Sequence, residues 1–130
     1  WTGRFFGGQN TPEFLELAGA NGEGDIIPGA FVATNPDPRV QEFTAAFRTK
    51  YGEEPGDFNV YAYDALGILV EAARRGGATR QGVFAALSDP AATYDSVQFG
   101  QFRFDQTTRR AADAAQLELV NRGGEFVVNT

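Results

Sequence analysis

The sequence contains no cysteine and no histidine. Without cysteine there is no disulfide framework, no thiolate nucleophile and no thiolate metal site. Without histidine the commonest general base and zinc ligand are missing, so that no Ser or Thr has a recognisable base beside it. We therefore predict that the chain is not an enzyme, has no catalytic or metal-binding residues and uses no cofactor.

Basic residues are also scarce: the chain has 11 Lys and Arg against 17 Asp and Glu, which gives a net charge of -6. A chain with this balance has no excess cations for a phosphate backbone, and we expect no nucleic-acid partner. Apolar runs are too short for a membrane-spanning helix. Methionine is absent and the chain begins at Trp1, from which we expect that preceding residues were removed. Its 130 residues correspond to one domain at most.

The first third is predicted to run strand, loop, helix, strand. Arg4–Phe6 is typical of the end of a buried strand, and the loop Gly7–Asn10 follows it. Thr11 is a good N-cap and Pro12 suits the first helical position. Asp25–Thr34 is rich in Ile, Phe and Val, which predicts a second strand.

Three helices are predicted in the middle of the chain. The first begins at Pro38 after the N-cap Asp37, and its aromatic residues share one face. The second covers Val60–Arg75 and carries a broad apolar stripe. The third follows the N-cap Thr79 and ends at Leu87. The residues expected to form its buried side are Val83, Phe84 and Leu87.

The final third alternates apolar and polar residues, which predicts strands. The apolar positions are Phe102 and Phe104, Leu117 and Leu119, and Phe126 and Val128. Asn121–Gly124 is predicted to be a hairpin turn, and Asp95 and Asp105 to lie in turns. The order of elements indicates an α/β or α+β fold with some parallel pairing at the front.

Two places are candidates for ligand contacts. Gly7–Asn10 lies between a strand and a helix N-terminus, where free N–H groups favour a polar ligand, although on motif evidence alone a plain tight turn is the preferred interpretation. Asn59, Val60 and Tyr61 open the longest helix and can project into a cleft, with core packing as the alternative. Tyr63 shares the helix face of the following apolar residues and is interpreted as structural.

Several short segments, in order and spacing, resemble a known family. They are Phe5–Gln9, Pro12–Phe14, Pro38–Tyr51 with Gly52–Pro55 after it, Tyr61–Ala65, Phe104–Asp105 and Leu117–Val127. Together they resemble the C-terminal part of the branched-chain-amino-acid-type substrate-binding proteins of ABC transporters, which have the type I periplasmic-binding-protein fold. The resemblance runs from Arg4 to about Val128.

This resemblance implies an α/β chain that is a C-terminal fragment of that fold. The expected structure is a partial parallel sheet with packed helices and a C-terminal antiparallel hairpin. Residues 1–130 would form a single fragment, in which 1–32 and 99–130 belong to the second lobe of the family's fold. Residues 33–98 would then supply helices to the first lobe, whose strands the chain lacks.

The resemblance also implies a function. We expect a ligand-binding fragment that holds an amino acid or a related small polar solute and acts with an ABC permease in the intact protein. Its expected location is periplasmic or extracellular, with a lipid anchor on the full-length protein as one arrangement. The alternative is a ligand-sensing domain of a receptor or amide-responsive regulator with the same fold.

Four residues correspond to ligand-binding positions of the family. Gln9 stands where a carboxylate binds the ligand ammonium group, and a neutral amide lacks the charge for that contact. An amide or urea-like ligand therefore gains weight beside an amino acid. Val60 corresponds to a cleft-lining position, with Asn59 and Tyr61 beside it.

The family's architecture further implies that two helices lack their usual packing partners. These helices carry Val40, Phe43 and Phe47, and Leu66, Leu69 and Val70. Because burying such side chains is a main source of stability, we expect a homodimer or a complex with the missing N-terminal part.

Overall fold

A computed structural model describes residues 3, 5–8, 10–112 and 114–129. The chain divides into two compact units. The first comprises Trp1–Asp57 and Gln116–Thr130, and the second comprises Phe58–Ala115. The second unit is therefore inserted, in sequence, between two parts of the first.

The first unit opens with helix α1, Pro12–Ala18. The Thr11 hydroxyl accepts a hydrogen bond from the Phe14 N–H at 3.2 Å, which confirms the predicted N-cap. A short 3₁₀ helix, Gly19–Gly22, follows directly.

The sheet of the first unit has the order β1-β5-β6, with antiparallel pairing throughout. Its strands are β1 (Ile26–Gly29), β5 (Leu117–Arg122) and β6 (Glu125–Val128). Gly123 and Gly124 both have positive φ in the turn between β5 and β6, as the predicted hairpin requires. The strand predicted over 25–34 stops at Gly29 because its partner there, Leu117, is the first residue of β5.

Parallel pairing at the front of the chain is limited, among the described residues, to one bridge between Phe6 and Ile26. The Gly7 N–H donates to the Ile26 carbonyl, and the Ile26 N–H donates to the Phe5 carbonyl, both at 3.0 Å. The prediction that this segment is buried was wrong for Phe6, which is exposed because it lies at the outer edge of β1. Arg4 lies outside the described residues.

Helix α2, Pro38–Tyr51, completes the first unit. The Asp37 carboxylate accepts from the Arg39 N–H at 2.9 Å, and the helix ends at Gly52 in the left-handed conformation. Both ends were predicted. The core of this unit lies beside the sheet and consists of Ile27, Val32, Leu119 and Phe126.

The second unit contains two helices and a small sheet. Helix α3 spans Asp57–Gly76, so it begins three residues before the predicted Val60, and α4 spans Arg80–Leu87. The antiparallel sheet has the order β2-β3-β4. Its strands are β2 (Tyr94–Ser96), β3 (Gly100–Phe104) and β4 (Ala111–Ala112). Ala72, Tyr94 and Phe102 form the core of this unit.

Two predictions in this unit were wrong. Asp95 lies inside β2 rather than in a turn, paired with Gln101. Phe84 is exposed, because α4 turns Val83 and Leu87 toward the core while the Arg109 guanidinium lies 5.7 Å from the centre of the Phe84 ring. The turn at Asp105 is confirmed, and its carboxylate accepts from the backbone N–H groups that follow.

The end of α3 and the start of α4 approach each other closely at Gly76 and Gly82. A Cβ atom placed on Gly76 would lie 2.0 Å from the Gly82 carbonyl oxygen, and one on Gly82 would lie 2.0 Å from the Gly76 oxygen. No side chain fits at either position unless the helices separate. The pair of glycines therefore allows this close approach of the two helices.

Within the described part of the chain, no α-helix is both long enough and apolar enough to cross a membrane.

Candidate functional site

The loop before α1 is held close to the rest of its unit. The Asn10 amide donates to the Phe31 carbonyl oxygen at 3.0 Å. A Cβ atom on Gly8, which has a φ of 107°, would lie 3.0 Å from the Phe14 ring. This close approach explains the glycine there. Gln9, the predicted ammonium-site residue, lies outside the described residues.

Asp57 is the second polar group at this place. Its side chain accepts a hydrogen bond from Asn10, which lowers the pKa of the Asp57 carboxyl, but burial has the larger effect and raises that pKa above its ordinary value. One carboxylate oxygen, Oδ1, is buried without a hydrogen-bond partner among the described residues. Asn10 thus joins the loop before α1 to the first residue of α3.

The Asn10–Asp57 pair has a definite chemical capacity. A buried oxygen without a partner carries an unrecovered desolvation cost, which a hydrogen bond from an incoming N–H or O–H group would remove. A carboxylate forms its strongest hydrogen bonds with cationic donors such as an ammonium group. The pair is therefore suited to a ligand that presents an N–H donor.

Sequence reasoning missed Asp57, because the helix was predicted to begin only at Val60. Its acidic side chain in the first turn of α3 is a readable helix-start signal. Its hydrogen bond comes from Asn10, which is distant in sequence, and no local pattern predicts that contact.

The other predicted site residues lie on the first turns of α3, in the second unit. Val60 is completely buried. Asn59 and Tyr61 are exposed, and the Tyr61 ring lies 6.2 Å from the Phe58 ring, centre to centre. Their assignment to a ligand site, like that of Gln9, stays a prediction.

Asp64 is a buried carboxylate with a structural role. It accepts hydrogen bonds from the Ser96 hydroxyl at 2.6 Å and from the Val97 N–H at 2.9 Å. The Gln98 amide also donates to it, at 3.3 Å. Asp64 therefore attaches the turn after β2 to α3, which accounts for an acidic residue inside the apolar helix.

Among the described residues no group of three or more acidic side chains is placed to hold a metal ion. The groups that the structure places at this site, Asn10 and Asp57, are hydrogen-bonding side chains.

Comparison with known proteins identifies the family. A family model described as periplasmic binding protein matches residues 4–125. The chain therefore belongs to the periplasmic binding protein family, which is a family of solute-binding proteins. A search of curated proteins gave no match.

Solved structures agree with this assignment. A protein from Rhodospirillum rubrum described as a branched-chain amino acid ABC transporter is 34% identical, with a TM-score of 0.80 over 99% of this chain and 38% of that one. A leucine-binding protein from Thermotoga maritima is 22% identical, with a TM-score of 0.82 over 100% of this chain and 37% of its own. An ABC transporter substrate-binding protein from Desulfitobacterium hafniense, in complex with Leu, is 25% identical, with a TM-score of 0.71 over 90% and 39%.

The chain thus spans about two-fifths of the length of these proteins. The predicted family and the predicted partial α/β fold are both confirmed. The boundaries between the two compact units fall after Asp57 and before Gln116. The lobe boundaries expected from the resemblance fall after residues 32 and 98. That lobe assignment stays a prediction.

Proposed function

We propose that this chain is the ligand-binding part of an ABC-transporter substrate-binding protein that takes up a small polar solute outside the cytoplasmic membrane. The observation that carries the proposal is the family match over residues 4–125. Ligand binding would shift the population of conformations toward one that the permease recognises. The protein would act in the periplasm, with or without a lipid anchor on the full-length chain, and would release its ligand unchanged.

The proposed ligand is an amino acid or a related amide or urea-like compound. The buried Oδ1 atom of Asp57 supports a ligand with an N–H donor, because that oxygen has no partner within the described residues. Asp57 would supply the negative charge that the neutral Gln9 side chain lacks. Asn10 would orient the carboxylate through the hydrogen bond that it already makes.

The proposal includes two protein partners. One is the ABC permease. The other is a polypeptide that covers the exposed apolar part of α3, either a second copy of this chain or an N-terminal part of the protein.

Calorimetric titration of the 130-residue chain with leucine, a primary amide, urea and benzoate tests the ligand class. We expect the compounds with N–H donors to bind weakly, with a Kd on the order of 1 mM, because the chain spans only two-fifths of its relatives. Benzoate, which has no such donor, should not bind. Asp57→Asn should weaken binding about tenfold, corresponding to about 1.4 kcal/mol.

Glu53→Gln is the matched control, since Glu53 is an exposed acidic residue shortly before Asp57. Equal binding of benzoate and leucine, or an unchanged Kd for Asp57→Asn, would contradict the ligand assignment. Release of ammonia from the amide or urea during the titration would contradict the binding-only function.

A further inference from the structure

Asn21 is the only one of the six asparagines in the sequence that precedes a glycine. An Asn–Gly pair is chemically labile, because the backbone nitrogen of the second residue can attack the asparagine side chain and glycine has no Cβ atom to hinder the approach. The Asn21 side chain is exposed, whereas Gly22 is buried. Water therefore reaches the reactive side chain, while the attacking nitrogen belongs to a residue inside the first unit.

Gly22 is held in place by contacts with the sheet and with α1. Its carbonyl accepts a hydrogen bond from the Asn121 side-chain amide at 2.8 Å and another from the Asp25 N–H at 3.0 Å. A Cβ atom on Gly22 would lie 2.7 Å from the Ala18 Cβ atom, so there is little free space around it. Asn121 is itself buried in β5. Movement of Gly22 therefore breaks the link between the 3₁₀ helix and the sheet.

The folded backbone at this place opposes the reaction. Asn21 and Gly22 belong to the 3₁₀ helix Gly19–Gly22, a conformation with ψ of about −20 to −30°. In that range the Gly22 nitrogen does not face the Asn21 Cγ atom, and ring closure requires Asn21 to leave the helical range. The hydrogen bond from the Glu23 N–H to the Ala20 carbonyl, at the end of this helix, is long at 3.5 Å. Opening of this short segment is therefore the step that must precede the chemistry.

We propose that Asn21 is a site of spontaneous deamidation, which the fold protects and which becomes reactive when the segment around Gly22 opens. The Gly22 backbone nitrogen loses its proton and attacks the Asn21 Cγ atom. The bond between Cγ and Nδ2 breaks, and Nδ2 leaves as ammonia with that proton. Water then opens the five-membered imide at either carbonyl and gives aspartate or isoaspartate, with no atom oxidised or reduced.

The products change the contacts around Gly22. Each adds a negative charge two residues before Glu23, whose carboxylate accepts a hydrogen bond from the Gly123 N–H at 2.7 Å. Isoaspartate also adds one main-chain atom before Gly22, which displaces the Gly22 carbonyl from the Asn121 side chain. Because refolding does not reverse deamidation, a chain that has opened and reacted keeps the altered link.

Incubation of the 130-residue chain in mildly alkaline buffer, followed by peptide mapping with mass spectrometry, tests the proposal. Deamidation at Asn21 should be at least about tenfold slower in the folded chain than in the chain unfolded in urea, because only the opened fraction reacts. In the unfolded chain the other asparagines should react more slowly than Asn21, since none of them precedes glycine.

A pair of variants locates the protection. Asn121→Ala removes one hydrogen bond to the Gly22 carbonyl and should raise the rate at Asn21 in the folded chain at least about fivefold, the effect of one lost hydrogen bond. Asp64→Ala is the matched control, because it removes a buried hydrogen-bonding side chain of the second unit and should leave the rate unchanged. Circular dichroism would verify that both variants are folded. The comparison of the folded and unfolded chain needs no variant, so it tests the proposal even if Asn121→Ala does not fold.

Equal rates in the folded and the unfolded chain would overturn the inference, as would the absence of product at Asn21 in the unfolded chain. A folded Asn121→Ala chain that reacts no faster would contradict the role given to the Gly22 carbonyl. Equal acceleration by Asn121→Ala and Asp64→Ala would assign the controlling opening to the whole chain and overturn its placement at Gly22. None of these measurements involves a ligand, so the inference stands or fails independently of the proposed function.

Discussion

The Asp64 carboxylate accepts a hydrogen bond from the Ser96 hydroxyl at 2.6 Å, across 32 residues of sequence. The same hydroxyl oxygen accepts from the Gln98 and Phe99 N–H groups, each at 3.1 Å. Ser96 therefore organises the turn after β2, and Asp64 fixes that turn to α3. A buried carboxylate with several donors is stabilising only while the donors remain, and removal of one partner leaves the others unsatisfied.

Asp64→Ala should lower the free energy of unfolding by about 3 kcal/mol, because it leaves the Ser96 hydroxyl and the Val97 N–H without their acceptor. Urea unfolding at fixed protein concentration measures the change. Asp95→Ala is the control, since Asp95 is acidic and exposed on β2, and it should alter stability by under about 0.5 kcal/mol. Equal effects of the two variants would show that the hydrogen bonds of Asp64 contribute little.

Gly76→Ala should destabilise the second unit by about 2 kcal/mol or more, because the new methyl group would meet the Gly82 carbonyl at 2.0 Å. Gly67→Ala provides the opposite control on the same helix. A Cβ atom there meets nothing within 4 Å, and the gain in helix propensity should stabilise the chain by up to about 1 kcal/mol. Thermal unfolding of both variants would check the contrast in sign.

Asp57→Asn should stabilise the chain at pH 7 and have no effect near pH 3. Burial holds the folded-state pKa of Asp57 above its ordinary value of 3.8, so folding favours the protonated form. The stability associated with this group is present at low pH and is lost as the pH rises through the folded-state pKa. Because solvent screens a half-buried group, we expect a gain under about 1 kcal/mol.

Unfolding curves at several pH values, with Glu53→Gln as the exposed control, measure this difference. A stabilisation that persists unchanged at pH 3 would contradict the role given to the Asp57 charge.

Asn121→Ala should cost about 2 to 3 kcal/mol of unfolding free energy. The Asn121 side chain is buried, donates to the Gly22 carbonyl at 2.8 Å and accepts from the Gly124 N–H at 3.1 Å. Its loss would leave the Gly124 N–H without its acceptor, and the Gly22 carbonyl would keep only the hydrogen bond from the Asp25 N–H. Asn21→Ala removes an exposed amide nearby and should change stability little. Chemical unfolding of the two variants gives the comparison.

The helix starts were predictable because their signals are local. Thr11, Asp37 and Thr79 each accept a hydrogen bond from a backbone N–H two or three residues ahead, a contact that the sequence spacing alone defines. The αL glycine at Gly52 is a stop signal of the same kind.

The errors concern contacts between distant residues. The exposure of Phe84 depends on which side of α4 packs inward and on the contact with Arg109. The eight residues of α4 alone do not determine either. The strand β2 was missed because it has only three residues and a central Asp95, which favours turns when read alone. For the same reason, the sequence predicted only part of the candidate site. Gly7–Asn10 has a loop signature, but the burial of Asp57 comes from the tertiary structure.

The insertion of the second unit within the first has a consequence for the order of folding. Ile27 pairs with Leu119, so β1 and β5 meet only after a loop of about 90 residues closes. Residues 58–115 make their contacts over shorter separations, which favours faster formation. We therefore expect the first unit to fold last. Until β1 pairs with β5, the backbone groups along β1 are open to pairing with another chain.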